Sequence, residues 1–347
     1  MAAGSRAKRG AMADRLVFFG ELLLRLTAPG HELLMQSPSL NVHVGGAEAN
    51  VAIGLAHLGH DCAMISYVPD NALGRGAIAG VRGGGVDCTH VVRGAGRMGL
   101  YFLSVGAGLR ASEIVYDRAG SSFATSTAGD YDWDAALAGA KLLHLSGITP
   151  ALGPQSAEAA LAAARAAKAR GITLSFDGNY RALLWDAWDS NPRAILTELI
   201  GMADILFGNH RDLSLVLGQP FSGDGEERRR EAAEAGFAAF PQLQLIASTA
   251  RHIVTADHHR IAARVDLRDG GYQSADRDVT GIVDRIGAGD AFAAGVLHAW
   301  AGGADARSMA ETGLALTCLK HSLPGDASRF GVADIARFEG GGLDVRR

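Results

Sequence analysis

Asp284-Arg285-Ile286-Gly287-Ala288-Gly289-Asp290, running straight into the helical stretch Ala291-Phe292-Ala293-Ala294-Gly295-Val296-Leu297-His298-Ala299-Trp300, is the segment on which the reading of this chain turns. Glycines at a helix start let backbone come close to an anion, and the first-turn N–H groups and the helix dipole favour negative charge there. Gly287, Ala288 and Gly289 thus read as an anion hole for a phosphoryl group in transfer. An acidic side chain inside such a hole repels a simply bound anion, but it suits a base that takes a proton from an attacking hydroxyl. Asp290 is the candidate for that role. A plain helix cap is the alternative, and the tetrapeptide alone leaves both open.

Working outward, a second pair of glycines opens a helix at Val44-Gly45-Gly46-Ala47-Glu48-Ala49-Asn50-Val51-Ala52. Backbone exposed at Gly45 and Gly46 can hydrogen-bond a polyol, and Asn50 offers both donor and acceptor. A tight turn into an ordinary helix explains the same residues. Around these segments, apolar and often β-branched runs alternate with Ala-rich helical stretches, which predicts βαβ units and a mainly parallel sheet. Strands are expected at 16–19, 63–68, 142–145, 172–176, 205–207 and 243–247. Helices are expected at 47–58, 72–81, 157–170, 193–202, 225–240, 290–300 and 306–321. Two segments, 32–44 and 98–123, break the rhythm and read as short antiparallel strands of a small sheet lying as a lid over one end of the body.

The chain has 347 residues, which suits one large α/β unit (14–340) with a small appendage, a disordered leader (1–13) and a tail (341–347). With 48% hydrophobic and 20% charged residues and mean hydropathy +0.10, the composition is globular. A net charge of −4 gives no general reason to expect nucleic acid as a partner. Apolar runs are interrupted well before the roughly 20 residues of a membrane span, so no membrane partner is expected. Cys62, Cys88 and Cys318 are too scattered for a disulfide framework or a metal site and read as reduced core thiols.

The two glycine segments, in this order, resemble the paired signatures of PfkB sugar kinases of the ribokinase-like family, and the resemblance runs from about Arg15 to Ala336. It implies a three-layer α/β/α sandwich with a β lid, ATP and Mg2+ as cofactors with K+ left open, and a cytoplasmic location. Within the family the chain is most similar to 2-keto-3-deoxygluconate kinases, through Gly99-Leu100-Tyr101-Phe102-Leu103, Tyr116-Asp117-Arg118, Asp177-Gly178-Asn179-Tyr180-Arg181 and Lys320-His321-Ser322-Leu323-Pro324-Gly325-Asp326. That likeness implies a sugar-acid site lined by Gly46, Tyr101, Tyr116, Arg118 and Arg181, with Asp326 near the substrate and Asn179 and Arg181 approaching the phosphates. Arginine forks suit a carboxylate. Asn209-His210-Arg211-Asp212 resembles the family's Asn-x-x-Glu element, which implies that Asp212, with its shorter arm, acts on magnesium through water. Where many relatives carry Lys-x-Gly-x-x-Gly, this chain reads Ser248-Thr249-Ala250-Arg251-His252, so Ser248 and Thr249 become the expected nucleotide contacts.

The implied function is ATP-dependent phosphorylation of the C6 hydroxyl of 2-keto-3-deoxygluconate or a close analogue. A kinase for a neutral sugar or nucleoside is the near alternative, and a non-catalytic sugar-binding protein the distant one. A homodimer formed through the lid is an arrangement this architecture allows. Three local patterns mislead. Gly94-Ala95-Gly96-Arg97-Met98-Gly99 matches a dinucleotide fingerprint but leads into a strand. His210-Arg211-Asp212-Leu213 mimics a protein-kinase loop without its Asn or DFG. His258-His259 reads as a solvated hairpin turn rather than a metal site.

Overall fold

The structure, a computed structural model, describes residues 14–341, so the expected leader and all but the first residue of the expected tail lie outside the described residues. Its strands are β1 (Arg15–Phe19), β2 (Leu23–Thr27), β3 (Asn41–Gly45), β4 (Asp61–Pro69), β5 (Val91–Gly94), β6 (Gly99–Ser104), β7 (Glu113–Asp117), β8 (Ala140–Ser146), β9 (Thr173–Asp177), β10 (Ile205–Phe207), β11 (Leu245–Thr255), β12 (His258–Leu267), β13 (Gly270–Gln273) and β14 (Arg277–Thr280). The helices are α1 (Ala47–His57), α2 (Ala72–Gly83), α3 (Trp133–Ala136), α4 (Pro154–Ala169), α5 (Ala182–Trp185), α6 (Pro192–Met202), α7 (His210–Leu217), α8 (Gly225–Ala239), α9 (Ala288–Ala301), α10 (Ala306–Lys320) and α11 (Val332–Glu339).

The large sheet runs β13-β12-β11-β10-β9-β8-β1-β4-β5, with β14 also on β12. From β5 to β11 every pairing is parallel, as the near-continuous apolar strands RLVFF, KLLHLS and TLSFD require of a sheet covered on both faces. One face packs on α1, α2, α9, α10 and α11 and the other on α4, α6, α7 and α8, which gives the expected three layers. The three cysteines are buried and unpaired. No helix among the described residues is long and apolar enough to cross a membrane.

Two expectations need correction. The lid sheet has the order β3-β2-β6-β7, and its central pair, β2 and β6, is parallel rather than antiparallel. The sequence reading missed β2 because Leu22-Leu23-Leu24 shows no alternation. It also overextended the strand at 32–44, of which only the end pairs as β3; Leu33 and Met35 stand exposed in the turns before it. On the opposite side, β11 continues to Thr255 and folds back as β12, so His258 and His259 begin a strand instead of forming a solvated turn. His259 is buried, edge-on to His321, and desolvation first, then nearby Arg251, pushes its imidazole down to about 4.

Candidate active site

A cleft of about 1070 Å³ opens at the carboxyl ends of the parallel strands, beneath the lid. Open α/β sheets place ligands there, where strand order departs in two directions from a central strand; here that strand is β1, with β4 on one side and β8 on the other. Glu48 pins α1 at this point. Fully buried, it accepts from the Ser146 amide (3.0 Å) and hydroxyl (2.6 Å) and from the Thr149 hydroxyl (3.1 Å), fixing the glycine turn against the end of β8.

Asp290 lies in the first turn of α9, on the cleft floor. Asn50 of the adjoining α1 donates from Nδ2 to Asp290 Oδ2 at 2.7 Å. Desolvation raises the Asp290 carboxyl to about 7; Asn50 opposes the rise, and Asp326 and Glu48 add to it. The carboxyl is open to the cleft but enclosed by protein on its other sides, so it gives up its proton near neutrality, where a general base works best. Gly287 caps α9 at φ 76°, and a Cβ there would fall 1.6 Å from the Asp326 carbonyl oxygen, so only glycine makes this turn. The Ala288 amide makes a long bond to Arg285 O (3.3 Å), which leaves the Gly289 and Asp290 amides as the free donors of the first turn.

The lid supplies the opposite wall with Leu23, Tyr101, Ile114 and Tyr116. Gly46 lines the cleft; Gly45 does not, and its α-carbon instead faces the Asp326 carboxylate. Arg118 is buried, donating from Nε to Glu21 Oε2 at 2.7 Å, while Ser121 holds the other Glu21 oxygen. Glu21 was not foreseen. It orients Arg118 and engages only its Nε, leaving the terminal nitrogens for the cleft that Arg118 lines. Asp326 accepts from Tyr101 Oη at 2.7 Å and pairs with Arg25, which makes it part of the wall's framework as well as its lining.

Toward the far end the cleft is lined by Asp177, Asn179, Arg181, Asn209, Asp212, Ser248 and Thr249. Asn179 takes a positive φ of 38°, a conformation asparagine tolerates, and its amide donates to Asp177 Oδ1 at 3.1 Å. The Asn209-to-Asp212 element forms a capping box for α7, with the Asn209 amide donating to Asp212 Oδ2 at 2.8 Å. Asp177, unassigned from sequence, is raised to about 8 by burial and by the charges of Asp290 and Asp212. Two cleft carboxylates whose charges act on one another suit a hard cation that keeps most of its ligands from phosphates and water, which is magnesium's habit. No group of three or more metal-ligating side chains occurs among the described residues. The sequence reading also passed over Arg251 and Arg285. Both line the cleft, neither makes an ion pair among the described residues, and the charges of Arg285 and Arg181 both reach Arg251. Arg251 lies in the segment that replaces the missing Lys-x-Gly-x-x-Gly loop, and a positive charge there was the available signal.

Against known proteins, the chain matches the pfkB family carbohydrate kinase profile over residues 13–329. It is 30% identical over 331 residues to a 2-dehydro-3-deoxygalactonokinase of Haloferax volcanii, covering 95% of this chain and 98% of the relative. It is likewise 30% identical to a 2-dehydro-3-deoxygluconokinase of Thermoproteus tenax, covering 90% and 89%. The crystal structure of a 2-dehydro-3-deoxygluconokinase from Thermotoga maritima superposes with a TM-score of 0.89 at 35% identity, covering 94% of this chain and all of that one.

Proposed function

Because the chain belongs to the pfkB family of carbohydrate kinases, we propose that it transfers the γ-phosphoryl group of ATP to the C6 hydroxyl of a 2-keto-3-deoxy sugar acid, of gluconate or galactonate type. It is a phosphotransferase with an alcohol group as acceptor. The observation that carries the finer reading is Asp290: a carboxyl held near neutrality by burial, oriented by Asn50, beside the open amides of α9.

In this reading the sugar acid lies between Tyr101, Tyr116 and Gly46, with its carboxylate toward Arg118 and Arg181. Asp290 accepts the hydroxyl proton as the hydroxyl oxygen attacks the γ-phosphorus and the bond to the β-phosphate oxygen breaks. The Gly289 and Asp290 amides meet the charge on the transferring group. Bound magnesium would neutralise phosphate charge, and Asp177 and Asp212 would hold it, Asp212 through water. Ser248 and Thr249 would meet the nucleotide, and turnover with and without potassium decides the monovalent-cation question. Lid closure would exclude water and with it wasteful hydrolysis. The location that goes with this activity is cytoplasmic.

The raised Asp290 carboxyl sets the pH dependence. Below about pH 7 the group is protonated and cannot take the hydroxyl proton, so kcat/KM is expected to fall about tenfold per pH unit on that side and to level off above it. A rate profile flat from pH 5 to 8 would remove Asp290 from the role.

Substrate class is tested at Arg118. Methionine there would strand the buried Glu21, so lysine is the better probe, keeping a positive charge while losing the planar fork. Losing a charge-assisted bond of roughly 1.5–3 kcal/mol should lower kcat/KM for the sugar acid about 10- to 100-fold. A neutral sugar such as fructose, which makes no such bond, should lose far less. Equal losses on both would end the sugar-acid assignment and leave the kinase reading standing.

The homodimer expectation has a surface to match. Val42, Leu26, Phe102 and Val115 are register partners across the lid and share its outer face, with Val42 and Val115 exposed. We expect Val115→Asp to shift a dimer to monomer in sedimentation; a wild-type monomer would refute the pairing.

A further inference from the structure

One lid row along, His43, Arg25, Tyr101 and Tyr116 are register partners, and Arg25 is 1% exposed. Its guanidinium spans two carboxylates of the body, donating from Nη2 to Asp284 Oδ2 at 2.6 Å and pairing through Nη1 with Asp326 Oδ1 at 2.9 Å. These aspartates bracket the anion hole. Asp284 opens the loop, accepting from the Ile286 amide (3.0 Å) and, across the gap, from the Gly325 amide (3.0 Å). Asp326 presses its carbonyl oxygen against the α-carbon of Gly287, and Tyr101 of the lid donates to its side chain. Behind them Lys320, fully buried, donates to the Asp284 and Leu323 carbonyls at 3.3 and 3.2 Å. Two buried cations thus face two buried anions.

A buried ion cluster adds little net stability over apolar packing, because desolvation offsets its Coulomb energy. What it does fix is position, since moving one partner leaves the others uncompensated. We propose that Arg25 is a positioning residue that makes the lid and the anion hole one mechanical unit, so that a sugar acid seated under the lid sets the loop from Asp284 to Gly287 for the phosphates of ATP. The lid cannot shift over the body without breaking the Arg25 bridges or dragging Asp284 and Asp326, and with them the Gly287 turn. Acceptor and nucleotide binding are then interdependent, and reciprocally so. This rests on the kinase reading above, but Arg25 itself touches neither ligand's reacting atoms.

Arg25→Lys tests it, because lysine keeps the charge balance but one ammonium cannot span two carboxylates with a fork's geometry. The affinity of a non-hydrolysable ATP analogue is measured by titration calorimetry without and with saturating 2-keto-3-deoxygluconate. The wild type should tighten about 10-fold when the sugar acid is present, within the usual range of coupling between sites. Folded Arg25→Lys should bring that factor to within about twofold of one, lower kcat about 10-fold and raise KM for the sugar acid at saturating ATP by about the coupling factor lost, with the affinity of the ATP-free protein for the sugar acid within about threefold of wild type. A merely structural role would not move the coupling factor. If Arg25→Lys does not fold, Asp284→Asn, which keeps the shape and removes one of the two anions, is read in the same way. An unchanged coupling factor in either folded variant, or a wild-type factor of one with both ligands bound, overturns the proposal and leaves the kinase intact. A wild type that binds neither ligand overturns the kinase reading and this proposal together.

Discussion

Asp290→Asn is expected to lower kcat by about 10²-fold or more while leaving the affinities for ATP and sugar acid within a few-fold of wild type. Asparagine matches the shape of aspartate, and position 290 is the third residue of α9, not its cap, so the helix start survives. The 2.7 Å contact with Asn50 can persist through the amide oxygen of the new side chain. The change removes the first-turn carboxyl of α9 that burial raises to about 7, and with it the proposed acceptor for the hydroxyl proton. The acid limb of the pH profile should vanish along with the bulk of the rate. Near-normal turnover in Asp290→Asn would assign the proton to another group, of which Asp177 is the first to try.

Gly289→Val should be equally damaging for a different reason. The positive φ of this turn falls on Gly287, and a Cβ on Gly289 would meet nothing within 4 Å. The open space is the cleft itself. Valine is therefore expected to fold, since it ranks above glycine in helix propensity, and to set two methyl groups over the amides proposed to receive the phosphoryl group. Loss of such donors costs about 10²–10³ in turnover. Gly287→Ala is the contrast, since its Cβ would collide with the Asp326 carbonyl and lower the melting temperature itself. Wild-type turnover in a folded Gly289→Val would place the phosphoryl group elsewhere.

Much of this architecture is legible in the sequence, and the reason is local. The parallel strands and the helices between them are long, periodic and apolar, so the expected ranges match within a few residues for all of those foreseen except β11, which runs on to Thr255. Two signatures far apart in sequence, at Gly46 and Gly289, mark the helix starts that the fold brings together, and Asn50 and Asp290 meet between them. What stayed hidden depends on partners distant in the chain. Arg25 sits in an apolar run and acquires its meaning from Asp284 and Asp326, far along the chain. Glu21 likewise acquires its meaning from Arg118 and Ser121. Asp212 carried a motif whose local role, capping α7, shows only in the hydrogen bonds. The extension of β11 past Ala247 mixes polar and apolar residues because one end of the hairpin borders the cleft and the other reaches solvent.

Transfer of phosphate to a sugar acid is tested most directly by product analysis. Purified protein is incubated with ATP, magnesium and, separately, 2-keto-3-deoxygluconate, 2-keto-3-deoxygalactonate, fructose and ribose, and the products are read by phosphorus and proton NMR with kcat/KM from ADP release. Stoichiometric ADP and a 6-phosphate ester are expected from one or both keto-deoxy acids, with kcat/KM at least tenfold above that for either neutral sugar. Higher kcat/KM for fructose or ribose, or a phosphate ester at any position other than C6, would contradict it.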